Sequence, residues 1–232
     1  MLGRFLELAV LTEDPGAAWS DLQRVGFAAA TSGDIWTHPY GVVACEGLAI
    51  GLHAVAEEPV SLHFVHPDIA ALERELGARF IDVQSSQLGS DAFNELCLRE
   101  PGGTLLRVIA ARTFSPPPEL PPRTAMGRFL AISLPCADLA EAQGFWERLD
   151  MEVQQRDDPW DSIAVQGTPV SYHDSASFRE PALLFDGAQA VDDTALRTAG
   201  TSTTRSVPAL RGRRHRVLRS AAGLAFILLE KA

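Results

Sequence analysis

The candidate functional residues of this chain lie in segments predicted to be β-strands. Glu7, His53, His63 and Arg107 are the main ones. Two imidazoles and a carboxylate can hold a divalent metal ion, and a guanidinium can bind a carboxylate or phosphate through two hydrogen bonds. The sequence contains no HExxH zinc motif, Walker loop, GxSxG nucleophile or dinucleotide fingerprint. Their absence removes the commoner enzyme classes.

An aromatic segment, residues 34–40 (DIWTHPY), lies between two expected strands. Its Trp36 and His38 could stack on a flat ligand at the mouth of a pocket, or could pack as ordinary rim residues. Trp146 follows Ala142 at helical spacing and is predicted to be core. The three cysteines are far apart and form no CxxC motif, which predicts buried thiols of a reducing compartment.

The elements that must position these residues follow from capping and periodicity. Asp14 followed by Pro15 predicts a helix over residues 14–26, because aspartate accepts the free N–H groups of a first turn and proline suits the first helical position. Helices are also predicted over residues 68–77 and 138–150, with a fourth that ends at Gly200. Extended runs such as residues 47–54, 95–100 and 104–109 predict about three strands after each helix.

The chain is internally duplicated. Gly3-Arg4-Phe5-Leu6 recurs as Gly127-Arg128-Phe129-Leu130, and a proline-rich stretch (SPPPELPP, residues 115–122) lies between the halves. Proline-rich sequence favours an extended, semi-rigid spacer. We therefore expect a first domain over residues 1–112, with modules of about 1–57 and 58–112, a linker over 113–126, and a second domain over 127–232. Each module has the order strand–helix–strand–strand–strand.

This βαβββ repeat resembles the vicinal-oxygen-chelate superfamily, which includes glyoxalase, extradiol dioxygenases and bleomycin-resistance proteins. Residues 7–15 (ELAVLTEDP) and 61–68 (SLHFVHPD) look like the family's entry from strand to helix, and residues 98–106 (LREPGGTLL) resemble its closing turn and last strand. The resemblance implies an α+β fold of two tandem domains, each of paired βαβββ modules forming a curved sheet around a concave pocket.

The resemblance also places the family's metal ligands. The matching positions are Glu7, Gly51, Ser61 and Arg107 in the first half, and Ala131, Ser171, Ala182 and Ile227 in the second. Among them only Glu7 could coordinate a divalent ion well, and the two histidines and glutamate that extradiol dioxygenases need in their second half are missing. We therefore expect no family-type metal site. A Glu7–Arg107 ion pair could take its place, because each charge would otherwise be stranded in the pocket.

His53 and His63 lie two residues beyond Gly51 and Ser61, on the same face of their strands. They could form a shifted metal site with Glu7, or could be polar walls of the pocket. The predicted function is a metal-free small-molecule-binding protein without a cofactor, whose ligand contacts Glu7, His53, His63 and Arg107 in the N-terminal pocket. The alternative is a lyase, isomerase or hydrolase on a small anionic or aromatic substrate, using Glu7 with Arg107 or a metal held by Glu7, His53 and His63.

Composition limits the other partners. The formal net charge of −10 argues against general nucleic-acid affinity, which depends on clustered cations. The arginine-rich residues 211–219 are a local exception, either a solvated hairpin or an edge that binds an anion or a partner. No apolar run approaches the ~20 residues that span a bilayer, and the N-terminus has no signal-peptide pattern. We expect a cytoplasmic monomer or homodimer.

Overall fold

The computed structural model describes residues 1–30, 36–89, 93–111, 124–156, 162–176, 178–186, 202–204 and 215–229. These residues form two mixed sheets of eight strands each, together with three helices. The α+β class and the two tandem domains predicted from the sequence are confirmed.

The first sheet is built from the first half of the chain. Its strands are β1 (Arg4–Leu11), β2 (Ala28–Ala30), β3 (Tyr40–Cys45), β4 (Leu48–His53), β5 (Val60–His66), β6 (Ser85–Gln87), β7 (Glu95–Arg99) and β8 (Leu105–Ala110). They lie in the order β2-β3-β4-β1-β5-β8-β7-β6. The two modules therefore lie side by side and join where β1 pairs antiparallel with β5. This junction brings β4, β1, β5 and β8 together at the centre of the sheet.

The second sheet repeats this arrangement. Its strands are β9 (Arg128–Cys136), β10 (Val153–Arg156), β11 (Ser162–Val165), β12 (Val170–Asp174), β13 (Ala182–Asp186), β14 (Ser202–Thr204), β15 (His215–Arg219) and β16 (Ala225–Leu229). Their order is β10-β11-β12-β9-β13-β16-β15-β14, so β9 corresponds to β1 and β13 to β5. The fourth predicted helix, ending at Gly200, lies outside the described residues. So do residues 211–214 of the arginine-rich stretch, whose remainder forms β15.

Each described helix begins after an aspartate, as the sequence predicts. The helices are α1 (Pro15–Arg24), α2 (Ile69–Ala78) and α3 (Leu139–Arg148). The side chains of Asp14, Asp68 and Asp138 accept backbone N–H groups of the first turns, which satisfies donors that have no partner inside a helix. One face of each helix is buried, and Trp146 on α3 is fully buried, which confirms its predicted place in the core.

Polar contacts join the two domains. The buried carboxylate of Glu100 accepts a 2.8 Å hydrogen bond from the hydroxyl of Tyr172, which in turn accepts one of 2.9 Å from Trp146 Nε1. At the surface, Arg79 binds both carboxylate oxygens of Asp150, at 2.6 and 2.7 Å. Separating the domains would remove the hydrogen bond from Tyr172 to the buried Glu100, and losing a partner of a buried carboxylate costs free energy.

Part of the predicted linker is packed. Residues 113–123 lie outside the described part of the chain, but Met126 is fully buried and Ala125 N donates to Val25 O at 3.1 Å. The linker boundaries at residues 113 and 126 stay a prediction.

Cys45, Cys97 and Cys136 are buried free thiols, as expected. In the part of the chain that the structure describes, no helix has the length and apolar character needed to cross a membrane.

Candidate functional site

Three central strands of the first sheet bring a carboxylate and two imidazoles together. Glu7 stands on β1, His53 on β4 and His63 on β5, and we call these three residues the Glu7 cluster. Their potential ligand atoms all lie within 4.8 Å of one another. The three side chains are 1%, 1% and 3% exposed. Glu7 and His63 are direct partners across the β1–β5 pair, which is why their side chains meet on one face.

The Glu7 carboxylate is fully hydrogen-bonded. Its Oε1 lies 2.9 Å from His53 Nε2 and 3.1 Å from His63 Nδ1, and its Oε2 accepts a 2.5 Å hydrogen bond from the Tyr40 hydroxyl. Gly51 on β4 makes the space for this carboxylate, since a Cβ atom at that position would overlap it. Gly51 therefore leaves room for the Glu7 carboxylate in its observed position.

The outer nitrogen of each histidine in the cluster is also held. His53 Nδ1 lies 3.0 Å from His38 Nε2, and His63 Nε2 lies 3.1 Å from the Ser61 hydroxyl. Tyr40 holds Glu7 in the same way through its hydrogen bond to Oε2, so each member of the cluster is oriented by one residue outside it. The inner atoms are left facing one another.

Burial and hydrogen bonding set the charges of the site. Burial alone raises the pKa of Glu7, but the hydrogen bonds from His53 and His63 outweigh it and lower the pKa from 4.5 to about 2. Burial lowers the pKa of His63. Burial, and then the nearby His53 and Arg107, lower the pKa of His38. At neutral pH the carboxylate is therefore ionised, and His63 is a neutral ring that donates from Nδ1 to Glu7.

The predicted Glu7–Arg107 ion pair is wrong. Arg107 instead donates from Nε and Nη2 to Glu95 Oε2, at 2.8 and 2.6 Å. The strand order explains the difference: β5 stands between β1 and β8, so Glu7 and Arg107 are two strands, or about 10 Å, apart. Glu95 on the adjacent β7 is diagonal to Arg107, because Cys97 is the direct partner of Arg107, and diagonal neighbours share a face.

A cavity of about 370 Å³ adjoins the cluster. It is lined by Trp36, Thr37, His38, Val55, Ala56, Glu57, Phe93 and Arg107. The ring of Trp36 lies between this cavity and the cluster, with its centroid 4.9 Å from the ring of His53 and 5.9 Å from that of His63. Trp36 and His38, which the sequence indicated as possible pocket-mouth residues, are thus part of the cavity wall. Tyr40, Glu95 and Phe93 were not identified from the sequence, because only the pairing of strands places them here.

The equivalent face of the second domain has a different chemistry. The four positions that the sequence resemblance aligned with metal ligands are all buried: Ala131, Ser171, Ala182 and Ile227. Ala182 and Ile227 belong to an apolar cluster on β13, β15 and β16. No group of three potential metal ligands occurs in the described part of this domain.

The second domain keeps one histidine in a position equivalent to His53. His173 on β12 donates from Nε2 to Phe178 O at 2.9 Å, and its Nδ1 accepts from the Ser133 hydroxyl at 2.8 Å. Burial lowers its pKa to about 4, so the ring is neutral at pH 7. Ala131 stands where the first domain has Glu7, so this histidine has no carboxylate partner.

No protein-family model and no curated protein sequence matches the chain. Solved structures are similar to it along nearly its whole length. One is a catechol 2,3-dioxygenase, with a TM-score of 0.59, 14% identity and coverage of 99% of this chain and 88% of that one. Another is homoprotocatechuate 2,3-dioxygenase from Brevibacterium fuscum with bound 3,4-dihydroxyphenylacetate, with a TM-score of 0.61, 11% identity and coverage of 99% and 80%. A third is a Mn(II)-bound glyoxalase from Novosphingobium aromaticivorans, with a TM-score of 0.54, 12% identity and coverage of 98% and 81%. At such identities the similarity concerns the fold.

Proposed function

We propose that this chain, which has the vicinal-oxygen-chelate fold in two tandem domains, is a small-molecule-binding protein that holds a divalent transition-metal ion in its first domain. The proposed ligands are Glu7, His53 and His63. The observation that carries the proposal is that the three inner atoms converge while each outer group is fixed by another residue. Metal-binding histidines in proteins are oriented in this way by hydrogen bonds at their second nitrogen.

The donor set and its spacing fit such an ion. Two imidazoles and one carboxylate suit manganese, iron, cobalt and zinc. Ligand atoms about 2.1 Å from one ion and at right angles to each other lie about 3 Å apart, and Glu7 Oε1 lies 2.9 and 3.1 Å from the two imidazole nitrogens. The ionised Glu7 also needs no arginine partner if a cation is present. This geometry therefore favours a metal-bound site over the metal-free site expected from the sequence.

The residues around the cluster have defined roles in this proposal. To bind an ion, His53 Nε2 and His63 Nδ1 must present lone pairs, so their N–H groups move to the outer nitrogens and donate to His38 and Ser61. Tyr40 donates to the second oxygen of Glu7 and keeps the first directed inward. Trp36 packs against His53 and His63 on the side of the cavity. A bound ion would supply a Lewis acid at the cluster, and a glyoxalase with a similar fold is known in a Mn(II)-bound form.

The proposal is tested by metal analysis of the full chain. After dialysis against Mn²⁺, Fe²⁺, Co²⁺ or Zn²⁺ and removal of free metal, we expect close to one equivalent of ion per chain, measured by elemental analysis. Glu7→Gln and His63→Gln should each abolish this stoichiometric binding. His173→Gln is the matched control, a buried histidine in the second domain, and should leave binding unchanged. A wild-type chain without stoichiometric metal, or variants that bind as much as the wild type, would contradict the proposal.

A second candidate is the metal-free binding protein expected from the sequence. One observation favours it: three hydrogen bonds already satisfy the Glu7 carboxylate without an ion. In that case the cluster is a buried hydrogen-bonded network that supports Trp36 and His38 in the cavity wall, and the ligand binds in that cavity. This candidate requires a chain that contains no stoichiometric metal and binds its ligand equally well before and after treatment with EDTA.

A further inference from the structure

The cavity beside the Glu7 cluster is lined by aromatic and charged side chains, and these limit the kind of ligand that it can bind. None of the three cluster residues lines it, because the ring of Trp36 lies between them. Its walls contain two large aromatic rings, Trp36 and Phe93, whose centroids are 6.1 Å apart. Phe93 is 54% exposed. An exposed phenylalanine at the edge of an aromatic-walled cavity offers a surface for a flat ring.

Arg107, which is ion-paired with Glu95, supplies guanidinium N–H donors in the same wall. Its side chain is 20% exposed, and its Nε and Nη2 both donate to a single oxygen of Glu95. Within the described residues Nη1 has no hydrogen-bond partner. A guanidinium carries five N–H donors in a planar fork, so the edge formed by Nη1 and Nη2 can take a second carboxylate while the first edge stays on Glu95. The guanidinium lies over the ring of Trp36, with Arg107 Cζ 5.8 Å from the ring centroid.

A second charged residue limits the charge of the occupant. Glu57 also lines the cavity, and it is exposed at the rim. Its carboxylate repels further negative charge, so a ligand with one carboxylate suits the cavity better than a phosphate dianion or a dicarboxylate. The neutral part of the lining, Val55, Ala56 and Thr37, leaves room for an uncharged ring.

We propose that this cavity binds an aromatic monocarboxylate, with the carboxylate on the free edge of Arg107 and the ring against Trp36 and Phe93. The inference deepens the proposed function by naming a class of ligand for the first domain, and it rests on that domain binding a small molecule. Because the cavity does not include the Glu7 cluster, occupancy of the cavity and metal binding can be measured separately.

The probes are sodium benzoate, its uncharged isostere benzamide, and sodium acetate, titrated into the full chain by calorimetry. We expect saturable binding of benzoate, with benzamide and acetate each at least about tenfold weaker, because the first lacks the charge that meets Arg107 and the second lacks the ring. Arg107→Gln should remove the preference for benzoate over benzamide. The matched control is Arg99→Gln, a surface arginine on β7 paired with Glu58, and it should keep that preference.

Two further variants keep the inference testable if Arg107→Gln does not fold. Phe93→Ala removes an exposed ring and should weaken benzoate and benzamide by the same factor. Arg107→Lys keeps the charge but not the fork, and should fall between the wild type and Arg107→Gln, with circular dichroism spectra confirming the fold of each variant. Equal affinities for benzoate and benzamide, a preference that persists in Arg107→Gln, or no binding of benzoate by the wild type would each overturn the inference.

Running each titration on the metal-loaded and on the EDTA-treated chain separates the two proposals. Benzoate binding by a chain that takes up no metal refutes the metal centre and supports the cavity ligand. A chain that holds one metal ion but shows no benzoate preference supports the metal centre and refutes the cavity ligand.

Discussion

Replacing Glu7 by glutamine should reduce the loss of unfolding free energy that the chain shows as the pH falls from 5 to 2. Glutamine keeps the size of the side chain but cannot ionise, so Glu7→Gln removes one proton-binding group from the core. The pKa of Glu7 is lowered in the folded chain from 4.5 to about 2 by the hydrogen bonds from His53 and His63, against the opposing effect of burial. A group with a lowered folded pKa stabilises the folded state above its unfolded pKa, and this stabilisation is lost as the pH falls towards the folded pKa.

The size of the effect follows from the same two values. At about 1.36 kcal/mol per pKa unit, lowering the pKa of Glu7 from 4.5 to about 2 corresponds to about 3 kcal/mol of unfolding free energy. Between pH 4.5 and about pH 2 the wild type should therefore lose about 3 kcal/mol more than Glu7→Gln does. Because Glu7 is almost fully buried, solvent screening reduces this figure little.

The assay is urea denaturation at a series of pH values from 5 to 2, with EDTA present so that metal binding does not contribute. Glu13→Gln serves as the control, since Glu13 precedes α1 at an exposed position, and its curve should run parallel to that of the wild type. If Glu7→Gln keeps the steepness of the wild-type curve in this window, Glu7 is not the ionised, hydrogen-bonded centre of the cluster, and the argument for its charge fails.

Three other predictions concern single side chains. Gly51→Ala should displace the Glu7 carboxylate, because the new Cβ overlaps it, and should lower metal affinity at least about tenfold by calorimetry. Gly77→Ala, where a Cβ meets nothing within 4 Å, should leave that affinity unchanged. Tyr172→Phe removes one of the donors to buried Glu100 and should lower the unfolding free energy by about 1–3 kcal/mol in urea; an unchanged value would mean that this contact does not hold the domains together. The ring of His173 should titrate in NMR spectra near pH 4, since burial lowers its pKa to about 4. Stability that depends on this ring is then lost as the pH falls from 6.5 to about 4, and a midpoint near 6.5 would contradict the buried, neutral ring.

The local elements of this protein were predictable from short stretches of sequence. An aspartate before each of the three described helices specifies where that helix begins, because it satisfies backbone donors within the next three residues. The recurrence of the Gly-Arg-Phe-Leu segment at residues 3 and 127 indicated two similar domains. Period-2 alternation placed His53 and His63 on one face of their strands. These features depend on neighbours in the chain, so the sequence alone determines them.

The partners of the charged residues were decided only by the tertiary structure. Glu7 and Arg107 lie on the same face of the first sheet, yet β5 separates their strands and Glu95 lies nearer to the arginine. Tyr40 and His38 orient the cluster through contacts that sequence spacing does not specify, whereas Ser61 contacts His63 two residues along the same strand. Ion pairs and metal sites depend on distances of 2 to 4 Å between residues far apart in the chain, and those distances are set by strand order and register. The sequence therefore indicated Glu7, His53, His63 and Arg107 as candidate functional groups, and the pairing of the strands decided which of them meet.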